Sequence, residues 1–256
     1  MLELLIGTLT QGLIYALLTY GIYITYRILD FPDLTTDGSF PLGGVVGTIL
    51  IYRLGLPPLL ALVGAFIAGM LCGALTGALH VKCHITKLLS GIIVMTALLS
   101  VTLALTAVLT GTGFTTTNFS YTANGIAGLF NTDKGVLGDG PIVLILLGIV
   151  VAVKILMDLF FKTKAGFMLT ATGNNETLVT SLGRDVGYYK IQGLALANGL
   201  CAFGGALYAQ LTMNYDNTCG SGKVVLALAS VIIGLALFSK ARRVRPTTAV
   251  IVGAVI

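Results

Sequence analysis

Charged residues are so sparse along this chain that they work as punctuation between long uncharged windows. The first window runs over 4–26, between Glu3 and Arg27. A short, glycine-rich second window covers 41–52 and opens at Pro41, a residue suited to the first turn of a helix. A third, 58–79, follows Pro57-Pro58. The stretch 88–132 has no charge over 45 residues. Divided at Gly111-Thr112-Gly113, it gives a span near 88–110 and then a polar connection rich in Thr, Asn and Gly. Further windows lie at 141–161, 191–212, 224–239 and 246–256. A spanning helix takes about 20 apolar residues. The pattern therefore predicts an all-α, polytopic helical membrane protein with about eight spans in one transmembrane domain, the last span incomplete. That last run, at 1.5 Å per residue, reaches only about half of the hydrocarbon core. A chain end there would leave backbone carbonyls in lipid, so a C-terminally truncated sequence is expected.

Composition excludes the alternatives. Of 256 residues, 10% are charged and 56% apolar, and mean hydropathy is +0.97. A soluble domain carries roughly 25% charged residues, and disorder needs far less apolar content. With no Trp, an aromatic belt must come from 10 Tyr and 11 Phe. The four cysteines lie far apart, which gives no disulfide framework. Met1-Leu2-Glu3 lacks the basic start of a signal peptide, so the first window is expected to be retained.

The net charge of +5 matters through its placement. With 162–190 inside and the spans alternating, twelve of the fifteen basic residues fall on the inner side, counting the end of the fifth window from Lys154. The reverse orientation would translocate the run Lys240 to Arg245. An external N-terminus follows, with 113–140 and 213–223 outside. Small residues recur at every fourth position, at Gly69, Gly73 and Gly77 and at Gly43 and Gly47, which allows close helix approach.

Several clusters invite chemistry. The connection 162–190 is long for a helix link and contains an amphipathic stretch, 174–182, with Leu178, Val179 and Leu182 on one side. Gly173 and Gly183 bracket it, Asn174 is placed to cap it, and Glu176 suits its N-terminal dipole. Such a helix could dock into a partner's groove or rest on lipid. The loop 28–44 carries Asp30, Asp33 and Asp37 with Thr35, Thr36 and Ser39. It reads as a substrate path where the second helix is broken, as a solvated loop, or, least well, as a calcium site. His80, Cys83 and His84 have zinc-compatible spacing but no fourth ligand. Lys154 and Asp158 form an i,i+4 pair inside an apolar window, which suits either an ion carrier or a snorkelling pair near a membrane surface. No Gly-x-Ser-x-Gly and no phosphate-binding Gly-x4-Gly-Lys-[Ser/Thr] loop is present. The chain is therefore expected to be non-catalytic, to need no cofactor or metal, and to bind neither ATP nor nucleic acid.

The run Gly173-Asn-Asn-Glu-Thr-Leu-Val-Thr-Ser-Leu-Gly183 and the following Tyr188 to Leu207 resemble the coupling segment and next helix of ABC importer permeases of the branched-chain amino acid and ribose type. Gly12-Leu-Ile-Tyr-Ala-Leu-Leu-Thr-Tyr-Gly21 resembles that family's first helix, and Leu29 to Gly44 its next segment. Together with Leu226 to Gly234, the likeness is greatest to the tryptophan/tyrosine permease subgroup. It implies a bacterial plasma-membrane permease that moves an amino acid, aromatic favoured, by alternating access. The implied partners are separate ATPase subunits, an extracytoplasmic binding protein touching 113–140 and 213–223, a second permease copy and the lipid bilayer. It implies ATPase coupling through Gly173, Asn174, Asn175, Glu176, Leu178, Val179, Ser181, Leu182 and Gly183. It also favours path lining by Thr35, Thr36, Asp37, Ser39 and Phe40. The sequence departs from the family at Leu235, where an acidic residue would follow Ile-Ile-Gly. Members of the family also continue past residue 256. The rival reading is a secondary transporter or channel without an ATPase, which would call for inverted repeats and buried ionisable groups.

Overall fold

A computed structural model describes residues 2–110, 116–118, 140–212, 214–238 and 246–255. The described elements are almost all helical. Helix α1 (Leu2–Ile22) widens into a π-helical turn, Tyr23–Ile28. Then come α2 (Thr35–Tyr52), α3 (Pro58–Lys82), α4 (Lys87–Thr110), α5 (Gly140–Lys162), α6 (Lys164–Asn174), α7 (Glu176–Ser181), α8 (Val186–Thr212), α9 (Lys223–Leu237) and α10 (Pro246–Val255). Two short strands, β1 (Thr116–Asn118) and β2 (Asn214–Asp216), pair antiparallel with Thr117 opposite Tyr215. That pairing brings 116–118 and 214–216 to the same end of the bundle, as the alternating topology requires.

Five described helical stretches are long and apolar enough to cross a membrane: Pro58–Lys82, Lys87–Val108, Val143–Lys162, Val186–Thr212 and Asn217–Leu237. Unlike those of a soluble protein, their outward faces are apolar. Leu59, Leu60, Val63, Ile67, Leu71 and Leu75 of α3 are exposed, as are Leu144, Leu147, Ile155, Leu156 and Leu159 of α5. Meanwhile Thr19, Thr25, Thr35, Thr76, Thr102, Asn198 and Gln210 are fully buried. An outer shell of leucine over a core with threonine and amide groups suits a surrounding that is itself apolar. The chain is a multi-pass membrane protein.

Helix α8 is the axis of the bundle. In its most apolar window 78% of residues are buried, against 17% for α5. It packs most extensively on α3 and α2, then on α1. The glycine rows explain how. A Cβ at Gly69 or Gly73 of α3 would collide with the backbone of Asn198 or Leu194, and one at Gly77 with Ile191. From α2, Gly43 sits on the Ala202 carbonyl, while Gly205 of α8 sits on that of Phe40. Backbones approach this closely only where side chains are absent.

Three local expectations need correction. The second helix begins at Thr35 rather than 41, so Pro41 lies inside it. Pro41 has no N–H to donate to the Asp37 carbonyl one turn earlier, and Gly220 packs against that carbonyl and the proline ring. The stretch 174–182 is not one helix, because α6 ends at Asn174 and α7 starts at Glu176. The first helix does not run straight to residue 26. Leu29 N donates to Ile24 O at 2.9 Å and Phe31 N to Thr25 O at 2.9 Å, widening the last turn before Pro32. The last apolar window, 246–256, corresponds to α10, a ten-residue apolar helix.

Candidate functional site

The sequence-predicted path residues are helical and buried rather than looped. They meet α3, α8 and α9 in a polar junction. Asp33, in the connection before α2, is fully buried. Its Oδ1 accepts from Thr35 N at 2.9 Å, and its Oδ2 accepts from Asn198 Nδ2 at 2.7 Å. Asn198 also donates to Leu194 O at 3.0 Å, and its Oδ1 accepts from Ser39 Oγ at 2.7 Å. Thr35 Oγ1 meets Thr76 Oγ1 at 2.9 Å, and Thr36 Oγ1 donates to Asp33 O at 3.3 Å. Two turns of helix thus fasten α2 to α3 and α8 through short polar bonds in an otherwise apolar interior.

Asp37 acts on a different partner. Its Oδ1 accepts from Val224 N at 2.8 Å, and its Oδ2 from Gly222 N at 3.1 Å. The carboxylate therefore caps the start of α9 from across the fold, at the positive end of that helix dipole. Gly222 takes φ +77 there, and Gly220 packs on the Asp37 carbonyl. Phe40 is fully buried and lies 5.9 Å from Tyr208, ring centre to ring centre.

The candidate coupling segment is a helix pair. Thr163 caps α6 by accepting from Gly166 N at 3.3 Å. Gly173 lies on the Ile28 carbonyl, which anchors the end of α6 to the π-helical turn. Asn175, not Asn174, caps α7, with its Oδ1 accepting from Leu178 N at 3.2 Å. The chain breaks at Asn175, where φ is −158, so Asn174 stays in the preceding helix. The three apolar residues do not share a face. Val179 is fully buried, while Leu178 and Leu182 are 51% and 56% exposed. Ser181 Oγ returns to Leu178 O at 2.8 Å. Gly183, at φ +69, ends α7 with paired bonds: Gly183 N donates to Thr180 O at 2.9 Å and Arg184 N to Val179 O at 3.2 Å. That αL closure favours glycine. Glu176 reaches Lys190 of α8 at 2.7 Å.

The model of a family described as "Branched-chain amino acid transport system / permease component" matches residues 4–256. The chain belongs to this permease family. A tyrosine transport system permease protein of Clostridioides difficile (strain R20291) is 39% identical over 252 residues, covering 98% of this chain and 80% of that protein. An uncharacterized protein of Rickettsia prowazekii (strain Madrid E) is 33% identical over 239 residues, 93% of this chain and 79% of that one. A nucleoside ABC transporter permease protein of Lactococcus lactis subsp. cremoris (strain MG1363) is 35% identical over 89 residues, 34% of this chain and 28% of that protein. The chain is accordingly a transport-system permease subunit and not itself a catalyst.

The remaining clusters are held by contacts within the chain. His80 Nδ1 lies 2.8 Å from Ile85 O and its ring edge meets Phe31, while His84 leaves the helix at φ +55. Among the described residues no cluster of three or more His, Cys, Asp or Glu is placed to hold a metal. Lys154 and Asp158 stand 3.9 Å apart, and Asp158 Oδ1 accepts from Thr247 Oγ1 at 2.9 Å, tying α5 to α10. Most of 113–140 and the basic run 240–245 lie outside the described residues. Sequence reasoning missed Asn198 and Lys190 as site residues. A lone amide inside the apolar window 191–212 was the available signal for the first.

Proposed function

We propose that this permease moves an amino acid, aromatic side chain favoured, inward across a bacterial plasma membrane by alternating access. Separate ATPase subunits drive it, an extracytoplasmic binding protein delivers the substrate, and a second copy of the chain completes the assembly. The full span count on this reading is eight. The substrate class follows the 39% identical relative, named for tyrosine.

One observation carries the coupling: α7 presents Leu178 and Leu182 outward while Val179 anchors it and Glu176 ties it to Lys190. Two exposed leucines on an anchored, capped helix make a rigid apolar knob suited to a partner's groove. Lys190 and Asn198 lie on the same helix, eight residues or about 12 Å apart. A push on α7 is therefore carried along α8 to the amide that holds Asp33 and Ser39. Thr35, Thr36, Asp37, Ser39 and Phe40 form the path on this reading. Their bonds to α3, α8 and α9 are the closed arrangement, exchanged when partner binding favours another state.

The test is co-purification of the ATPase with the tagged permease, followed by uptake in vesicles. The paired variant Leu178→Asp with Leu182→Asp is expected to lower ATPase recovery at least about tenfold, with the permease melting temperature unchanged, since both side chains are exposed. Undiminished uptake in ATP-depleted vesicles would instead establish a carrier that works without an ATPase.

A further inference from the structure

The junction around Asp33 is not the only polar feature. At the opposite end of α8, β2 and the turn Asn217–Gly220 fold back over the last helical turns. They border an open cleft of about 330 Å³ whose lining includes Tyr208, Thr212, Asn214, Asp216, Thr218 and Lys223. That volume lies within the range of about 300–1,000 Å³ usual for small-molecule sites. The larger cavity between α3, α5 and α8, about 470 Å³, is lined by apolar side chains and offers nothing to a charged solute.

The lining carries both signs of charge. With only 10% of its residues charged, it brings one cation, one carboxylate and an aromatic ring to a single cavity. Lys223 Nζ donates to the Tyr15 hydroxyl at 2.6 Å and stands 4.3 Å from that ring's centre. An ammonium has three donors, so two remain for a ligand. The Asp37 carboxylate is held by Gly222 N and Val224 N. Asp216 accepts from Thr218 N at 2.9 Å and from Thr218 Oγ1 at 2.8 Å. Those bonds fix its carboxylate and leave acceptor capacity, since a carboxylate has about four lone-pair sites. Tyr208 stacks on Tyr15 with centres 6.4 Å apart and an interplanar angle of 23°, which offers a flat aromatic wall.

We propose that this cavity is a receiving site for a free, zwitterionic amino acid with an aromatic side chain. Lys223 holds its carboxylate, Asp216 its ammonium, and Tyr208 flanks its ring. The assignment rests on the amino-acid reading above and adds to it a place where the permease itself contacts substrate. Both fixed charges are needed only by a ligand that carries both opposite charges, which distinguishes a zwitterion from a simple anion or cation.

The experiment titrates the full-chain permease in lipid nanodiscs with L-tyrosine, tyramine and 3-(4-hydroxyphenyl)propionate, read by calorimetry. Tyramine lacks the carboxylate and the propionate lacks the ammonium. L-tyrosine is expected to bind at least about tenfold more tightly than either analogue, the usual scale for losing one charged hydrogen bond. Lys223→Met should weaken L-tyrosine by about the same factor and leave tyramine unchanged. Asp216→Asn should weaken L-tyrosine and tyramine and leave the propionate unchanged. Lys223→Arg, which keeps the charge, should retain L-tyrosine binding and guards against a folding defect in the Met variant. Absence of L-tyrosine binding to the unaltered permease, or equal weakening of all three ligands by each variant, overturns the site. Uptake by the assembled transporter separates the two readings. Amino-acid uptake with an unchanged KM in Lys223→Met rejects the site and keeps the function. Failure of the unaltered transporter to carry any amino acid rejects the function itself.

Discussion

Asn198 does more than any other single side chain to hold the inner polar junction. Its amide donates to Asp33 and to Leu194 O and accepts from Ser39. Removal leaves a buried carboxyl with one partner fewer and a buried hydroxyl without its acceptor. Each such loss costs about 1–3 kcal/mol. Asn198→Ala is therefore expected to lower stability by about 2–6 kcal/mol, against about 1 kcal/mol or less for Thr180→Ala, whose hydroxyl is exposed. Thermal unfolding of the detergent-purified permease, followed by size exclusion, checks this. Equal melting temperatures for Asn198→Ala and the unaltered chain would mean that Asp33 and Ser39 find other partners.

At the scale of elements, the helices are set by where side chains are missing. Gly43 presses on the Ala202 carbonyl and Gly205 on that of Phe40, so α2 and α8 touch along their backbones. A methyl there must part the two helices. Gly43→Ala is expected to cost about 1–3 kcal/mol. Gly148 of α5 has open space around its Cα, so Gly148→Ala should be neutral or stabilise by up to about 1 kcal/mol through helix propensity. Melting temperatures that move in the same direction for both variants would reject close packing as the cause. The spacing of these glycines was visible in the sequence, as were the long uncharged windows and the stop at Gly183, because period and composition carry them. The break at Asn175 was not visible. Asn174 and Asn175 are chemically identical, and the contact of Gly173 with Ile28, distant in sequence, decides which of them caps. The start of α2 was hidden for a similar reason. Thr35 to Ser39 read as loop by polarity, yet their hydroxyls and carboxylate are satisfied by α3, α8 and α9, and those partners exist only in the folded bundle.

For the whole molecule, the coupling we propose requires a force applied at α7 to reach the middle of the bundle. The route has three rigid links. Glu176 joins α7 to Lys190 of α8 at 2.7 Å, α8 is the most buried of the five membrane-length helices, and Asn198 on it grips both Asp33 and Ser39. The first link is the weakest, because Glu176 is half exposed at 51% and such pairs add little to stability. Its importance would lie in registering α7 against α8 during the stroke. Glu176→Gln is thus expected to leave ATPase recovery and melting temperature almost unchanged, while solute moved per ATP hydrolysed falls several-fold. Exchanging the charges, Glu176→Lys with Lys190→Glu, should restore part of that ratio, because the ion pair reforms with its sign reversed. A ratio that stays at the unaltered value in Glu176→Gln would remove the salt bridge from the coupling route. The contact of Gly173 with the π-helical turn would then be the link through which α6 and α7 act.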